Sequence, residues 1–308
     1  MFADRTKQGV LFALGAYLSW GVAPIYFKAL NGFDASDILM HRIVWSVLTL
    51  ILFIFVAKQW GKVKAAFRDT KIIFILLISA ILLAGNWLVF IWSVNNDHLL
   101  DASLGYYINP LLNVLLGRLF LGEKLRPMQK VAVGAAFVGV ASLVVSHGSL
   151  PWVALFLACS FGTYGLLRKK IPVESMPGLL LESLMMLPFA LYFWAFHAPA
   201  SSNLVENTWQ VNVLLISAGL VTTVPLIFFN AAAQRIKYST LGFFQYIAPS
   251  MMFLMAVLLF GEPLDEARLI TFAFVWGGLA IFTMDSLRTY RKDKKQKKLA
   301  KAEAAEKG

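Results

Sequence analysis

Tyr107-Ile108-Asn109-Pro110, followed by Gly122-Glu123 and Leu125, recurs 139 residues later as Tyr246-Ile247-Ala248-Pro249, Gly261-Glu262 and Leu264. The Pro-to-Gly spacing is twelve residues in both copies, and the same offset aligns Leu115 with Leu254, Gly139 with Gly278 and Ala141 with Ala280. Upstream, after a two-residue slip, Ser103-Leu104-Gly105-Tyr106 matches Thr240-Leu241-Gly242-Phe243. At an offset of 141, Ser19-Trp20-Gly21 and Lys28 match Ser160-Phe161-Gly162 and Lys169. A chain that repeats a whole segment folds as two copies of one unit.

The residues around the repeat set the solvent. The chain is 59% hydrophobic and 15% charged, with a mean hydropathy of +0.69. A soluble domain needs more polar residues than this to cover its surface. The apolar residues arrive in blocks of roughly 18 to 22, the length that crosses a bilayer core as helix. The expected fold class is therefore all-α integral membrane. Ten transmembrane helices are predicted near 9–30, 36–57, 72–95, 102–121, 128–146, 150–168, 177–197, 211–233, 239–260 and 267–286. The single cysteine, Cys159, lies inside one block, which excludes a disulfide framework and a thiolate metal site.

Loop charges orient these spans. The stretch 58–71 carries Lys58, Lys62, Lys64, Arg68 and Lys71 against Asp69, and the loops near Lys124, Arg168 and Arg235 are also basic. The alternate loops carry Asp34 and Asp37, Asp97 and Asp101, Glu206, and Asp265 and Glu266. Bases gather on the cytoplasmic side of a membrane, so both termini are expected there. The net charge of +11 then belongs to loops and to the tail of Arg291, Lys292, Lys294, Lys295, Lys297 and Lys298. Such a tail beside a last helix reads as a retention signal that also touches anionic lipid head groups, so no nucleic-acid partner is expected. The first helix has Trp20, Pro24 and Tyr26, no small-residue cleavage site and an echo in helix six, so it reads as a retained span.

An odd number of helices per copy inverts the second copy relative to the first. The expected layout is a cytoplasmic N-terminus (1–8), a first repeat (9–146), a second repeat (150–286) and a basic cytoplasmic tail (287–308). Two inverted five-helix repeats can rock to expose one midplane site to either side, which is the architecture of many secondary transporters. Function by fold analogy still needs a site.

Polar side chains at membrane depth are costly unless paired and mark that site. Arg42, preceded by His41 on helix two, reads as an anchor for an anionic group, or else as a structural pair for Asp37 or a snorkelling side chain. Glu182 aligns with Arg42 in the second copy; the inversion separates them in depth by roughly 13 Å, which favours separate roles over direct pairing. Glu182 is a candidate coupling group, since a carboxyl at membrane depth is readily neutralised by a proton; the alternative is a pair with Lys28, Lys169 or a backbone amide. Asn86 and Trp87 lie mid-helix, deeper than an interfacial belt. Tyr107 and Asn109 precede Pro110, while Gln245 and Tyr246 precede Pro249. Aromatics and amides at proline breaks suit a cavity for mixed apolar and polar molecules. Tyr106, Thr222, Thr223 and Asn230 share that neighbourhood. For each alone, the plainer reading is an interhelical hydrogen bond. Pro110 and Pro249 read first as kinks and then as candidate hinges. The Gly-Glu pairs read as helix ends, with Gly terminating and Glu solvated. Ala135 with Gly139, and Gly277-Gly278, predict tight helix packing, within one chain or in a homodimer.

Enzyme signatures such as His-Glu-x-x-His, Gly-x-Ser-x-Gly, a Walker loop or Cys-x-x-Cys do not occur, and His41, His98, His147 and His197 share no metal-ligand spacing. No cofactor or metal is expected, so transport would draw on a gradient of a proton, another ion or the substrate.

With these residues assembled, the chain resembles the drug/metabolite transporter superfamily with two EamA-type repeats, over about residues 5 to 286. The resemblance rests on the repeated Pro-x11-Gly-Glu ends, the small and aromatic residues before each Pro, and the five-plus-five count. Within it, Ser19-Trp20-Gly21 through Tyr26-Phe27-Lys28, His41-Arg42-Ile43-Val44-Trp45-Ser46, Asn86-Trp87 and Leu104-Gly105-Tyr106-Tyr107-Ile108-Asn109-Pro110 look like the RarD branch. The resemblance implies a bacterial inner-membrane permease for a small organic metabolite or drug-like molecule. It implies no ligand positions. Branch members often carry a chloramphenicol-sensitivity label, which says little about the cargo. The competing readings are a non-transporting scaffold or sensory partner and a lipid-handling protein on the same fold.

Overall fold

The structure, a computed structural model, describes residues 2–122, 126–147, 150–197, 203–236, 241–242 and 244–306. Among these the elements are helices: α1 (Phe2–Lys28), α2 (Ala35–Val56), α3 (Trp60–Arg68), α4 (Thr70–Asn95), α5 (Leu99–Phe120), α6 (Pro127–His147), α7 (Trp152–Lys170), α8 (Ser175–His197), α9 (Trp209–Arg235), α10 (Ile247–Leu258) and α11 (Glu266–Glu306). Thr6–Lys28, Ala35–Val56, Thr70–Asn95, Ser175–His197 and Trp209–Arg235 are long and apolar enough to cross a membrane. The 22 residues of α2 rise about 33 Å, enough for a hydrocarbon core.

Three elements differ from the sequence expectation. The basic stretch 58–71 contains α3, whose Val63 and Ala66 are buried, while Lys62 pairs with Glu174 at 2.7 Å. Charge density signalled a loop there, yet a short amphipathic helix carries Lys62 and Lys64 on its exposed face. Helix nine, expected over 239–260, is a helix over Ile247–Leu258 with a turn at Gln245 and Tyr246. The backbone of α11 continues to Glu306, because the Lys-, Ala- and Glu-rich tail consists of strong helix formers. Glu123, Lys124, Leu125, Thr240 and Phe243, and the side chains of His147 and of the tail from Lys292 to Lys298, lie outside the described residues.

Helix ends follow local chemistry. Asp69 accepts from the Lys71 and Ile72 N–H groups (3.0 and 3.2 Å), capping α4. Gly122 and Gly261, equivalent in the two copies, have φ of +67° and +68°. That left-handed backbone ends α5 and α10 alike, and glycine adopts it without strain. Glu262, expected to be solvated, is instead 5% exposed: its carboxylate is drawn inward by unsatisfied backbone N–H groups at the start of α5.

The chain divides into two compact units, residues 1–117 with 152–263, and residues 118–151 with 264–308. In the first, α1 packs on α9 and α10, α2 on α8 and α9, and α4 on α7. The sequence copies match α1 to α7, and each packs on a long apolar helix of the other copy, α1 on α9 and α7 on α4. In the second unit, α6 packs on α11. A Cβ at Gly139 would stand 3.1 Å from the Thr271 carbonyl, and one at Gly278 would stand 2.8 Å from the Ala132 carbonyl. Of the small residues that predicted tight packing, Gly278 meets Ala135 and Gly139 meets Thr271 and Phe274 within the chain, while no described atom lies within 4 Å of a Cβ at Gly277. Arg126 and Asp285 close the pair at 2.6 Å.

Candidate functional site

Within the first unit, about 600 Å³ of space, open mouth included, is walled by residues of α1, α2, α4, α5, α7, α9 and α10 with the turn leading into it. Arg42, Asn86, Trp87, Gln245 and Pro249, all singled out from sequence, line it together.

Arg42 supplies the charge. It is 5% exposed. Its Nε donates to Thr222 Oγ1 at 2.8 Å, and its guanidinium lies over the rings of Trp87 (4.4 Å) and Phe27 (4.9 Å). A weakly hydrated planar cation suits such a stack, and the rings' negative faces stabilise it. Nη1 has no hydrogen-bond partner among the described residues. Arg42 and Glu182 do not pair with each other: each has a separate partner, and Glu182 faces Arg168 Nη1 at 3.6 Å.

Asn86 and Gln245 supply neutral polarity. Asn86 donates to Ser160 Oγ (2.8 Å) and the Leu157 carbonyl (3.1 Å), and accepts from the Tyr106 hydroxyl (3.1 Å). One amide therefore ties α4 to α7 and α5 at the cavity wall. Gln245 Oε1 accepts from Asn113 at 3.2 Å, which leaves its buried Nε2 without a partner among the described residues. Buried polar atoms are normally satisfied, so a free amide N–H beside Arg42's cavity is a donor available to a ligand.

The remaining wall is aromatic. Trp20 meets Tyr17 and Phe161 edge-on, each at 5.6 Å, and Phe90 meets Phe27 at 5.8 Å and Tyr106 at 5.7 Å. Edge-to-face rings hold one another rigid and favour a flat apolar guest. Among the described lining residues there is no Asp or Glu.

Of the other sequence candidates, Tyr107 and Asn109 bond across helix contacts. Tyr107 donates to Ser250 Oγ at 2.8 Å, and Asn109 donates to the Ala158 carbonyl at 2.9 Å. Tyr246 is partly buried beyond the lining, in the turn before α10. Pro110 sits inside α5. Pro249 stands in the first turn of α10, where a missing N–H costs little, and its carbonyl accepts from Ser103 at 3.0 Å. Lys28, offered as a partner for Glu182, bonds Asp97 at 2.7 Å.

Sequence reasoning missed the aromatic wall and Arg168. Trp20 and Phe161 are repeat mates, so the alignment that pairs Ser19-Trp20-Gly21 with Ser160-Phe161-Gly162 already carried the signal that both face one place. Arg168, counted with the loop bases, is 2% exposed. Its guanidinium occupies the space a side chain at Gly178 would take, so the signal was a glycine one turn before Glu182 on the same helix.

The EamA-like transporter family matches the sequence twice, over residues 7–145 and 150–284. A protein of Vibrio cholerae serotype O1 named "Uncharacterized transporter" is 54% identical over 284 residues, 92% of this chain and 94% of its own. Protein RarD of Escherichia coli strain K12 is 50% identical over 296 residues, 96% of this chain and 100% of its own. One solved crystal structure, 18% identical, gives a TM-score of 0.63 over 90% of this chain and 97% of its own, a likeness of fold alone.

Proposed function

Because the chain belongs to the EamA-like transporter family, in the drug/metabolite transporter superfamily and of RarD type, we propose that it is a secondary transporter for a small organic anion with a flat apolar body, working in a bacterial inner membrane. The observation that carries this reading is Arg42: a buried guanidinium, fixed through Nε and two rings, on a cavity whose described lining holds no acid. A carboxylate or similar group would satisfy Nη1, the Gln245 amide would add a donor, and the ring wall would hold the apolar remainder.

In this reading ten transmembrane helices form two inverted five-helix repeats, residues 9–146 and 150–286, with both termini cytoplasmic. The α1–α9 and α7–α4 contacts support the repeat, and the matching φ of Gly122 and Gly261 supports equivalent helix ends. The basic loops support the orientation. Rocking of one repeat on the other exposes the cavity to each side in turn. Pro110 and Pro249 are the hinge candidates, and Glu182 is the group through which an ion gradient is coupled.

The test is counterflow in proteoliposomes against a panel of aryl and alkyl carboxylates and their neutral amides. Carboxylate-selective flux that Arg42→Ala removes is the expected result. Glu182→Gln should abolish gradient-driven uptake while leaving exchange. A folded protein that moves none of the panel would replace the transport reading with the scaffold one.

A further inference from the structure

Trp87 lines a second chamber as well, with about 370 Å³ of space, between α2, α4, α8 and α9. The two chambers also communicate through one hydrogen bond: Thr222, on the wall of the second, accepts from Arg42, on the wall of the first, at 2.8 Å. Apart from the Trp87 indole N–H and the Met186 thioether, the polar groups of the second wall are oxygens, from the Glu182 carboxylate and the hydroxyls of Ser46, Ser183, Thr222 and Thr223. Glu182 is 2% exposed, and Ser46 and Thr223 are 1% exposed. Neither carboxylate oxygen of Glu182, nor Ser46 Oγ, nor Thr223 Oγ1, has a hydrogen-bond partner within 3.5 Å among the described residues, although the Ser79 hydroxyl stands beside the Glu182 carboxylate.

Arg168 offsets the charge of Glu182 without hydrogen-bonding it. Its Nη1 stands 3.6 Å from Glu182 Oε1, longer than the roughly 2.7–2.9 Å of a charge-assisted hydrogen bond. Its Nη2 points instead at the Glu174 and Ser175 carbonyls, at 3.4 and 3.3 Å. A buried carboxylate beside unengaged hydroxyls is an expensive arrangement unless something positive and oxygen-seeking joins it.

We propose that the second chamber binds a small monovalent metal cation of the Na+ type, held by Glu182, Ser46 and Thr223, and that it communicates with the substrate cavity through Thr222 and Arg42. An all-oxygen donor set matches a hard cation. One carboxylate already faced by one guanidinium leaves too little negative charge for a divalent ion, and no group of three His, Cys, Asp or Glu occurs among the described residues. A proton would engage one oxygen of Glu182 and leave Ser46 and Thr223 unsatisfied; a metal cation engages all three. A cation here stands one threonine away from the Arg42 anchor, so it and a substrate anion favour each other's binding, which is coupling in thermodynamic form. That coupling role rests on the transporter reading, whereas binding itself does not.

The experiment is thermal unfolding of the purified full-length protein in nanodiscs, in NaCl, KCl or choline chloride at equal ionic strength and pH. Na+ should raise the unfolding temperature by roughly 2–4 °C at tenfold excess over its dissociation constant, with K+ and choline inert. Thr223→Val and Ser46→Ala should each shift the Na+ titration about tenfold to higher concentration, as expected for a lost oxygen ligand. Glu182→Gln should remove the response, and the hydroxyl variants keep the test valid if that variant fails to fold. Equal shifts with all three cations, a response to pH alone, or wild-type Na+ titrations in Thr223→Val would each overturn the proposal. A Na+ shift in a protein that transports nothing would sustain the site and remove the transport reading; flux indifferent to Na+ would sustain transport and overturn the coupling role.

Discussion

The side chain of Glu262 closes the helix that begins at Leu99: Oε1 accepts the Leu99 N–H at 2.9 Å. Oε2 accepts the Leu100 N–H at the same distance. One carboxylate thereby satisfies two of the orphan donors of α5 and meets the positive end of its dipole. The chain delivers it there because Gly261, with φ of +68°, turns sharply out of α10, and the Glu262 N–H returns to the Ala256 carbonyl at 2.9 Å. Glu262→Gln should lower stability by about 1–2 kcal/mol, and Glu262→Ala by roughly 3 kcal/mol, since alanine leaves both donors buried and unmet. Detergent-solubilised thermal melts measure both. A Glu262→Ala melt equal to wild type would mean that the cap contributes nothing.

The paired glycines make a symmetric prediction. Among the described residues nothing lies within 4 Å of a Cβ built at Gly122 or Gly261, so an alanine there meets none of them and the left-handed backbone is the strain. Gly122→Ala and Gly261→Ala should each cost about 1–2 kcal/mol, and by nearly equal amounts. A large inequality would show that one of the two ends carries a contact the other lacks.

How much of this was legible beforehand depends on what kind of signal each residue leaves. The helices and their repeat were readable because burial in lipid forces long apolar blocks, and because Gly122 and Gly261 are required by a backbone angle. Arg42, Asn86, Trp87 and Gln245 were readable because a polar or bulky group at depth has few alternatives. Tyr107 and Asn109 carry the same depth signal, yet they bond Ser250 and the Ala158 carbonyl across helix contacts. Depth alone cannot separate a cavity-facing amide from a packing one; the partner decides, and the partner is far away in sequence. Arg168 was hidden for the opposite reason. It sits among Lys169 and Lys170 at a helix end, where charge counting sees a loop.

Asn86 is the joint of the cavity wall, and it tests whether that wall is structural or adaptable. Asn86→Ala removes bonds to Ser160, Leu157 and Tyr106 and should destabilise the protein by about 2–3 kcal/mol. Tyr106→Phe, which removes only one of the three, should cost about 1 kcal/mol. Chemical denaturation of the two variants and of the double variant would expose the coupling: the double variant should cost less than the two singles combined.

Arg42 distinguishes geometry from charge. Arg42→Lys retains a cation but loses the planar stack on Trp87 and Phe27 and the Nε bond to Thr222. Apparent affinity for an anionic substrate should fall roughly tenfold with lysine and about a hundredfold with alanine. Affinity for a neutral analogue of the same shape should change by less than about threefold. Binding titrations in nanodiscs measure this split. Equal losses for anionic and neutral ligands would assign Arg42 to the scaffold.

Trp87 is the wall between the two chambers, so its removal has a consequence that loss of packing alone does not produce. Its ring supports the Arg42 guanidinium at 4.4 Å and lines both spaces. Trp87→Ala would join them, and as a partly buried ring its loss should cost up to about 3 kcal/mol. Trp87→Phe keeps an aromatic face for Arg42 but thins the wall. If the wall separates substrate from coupling ion, both variants should leak ions without substrate in proteoliposomes, alanine more than phenylalanine, while binding of the anionic ligand survives in Trp87→Phe. If Trp87 serves only the substrate cavity, Trp87→Phe should weaken ligand binding and leave the resting ion permeability unchanged.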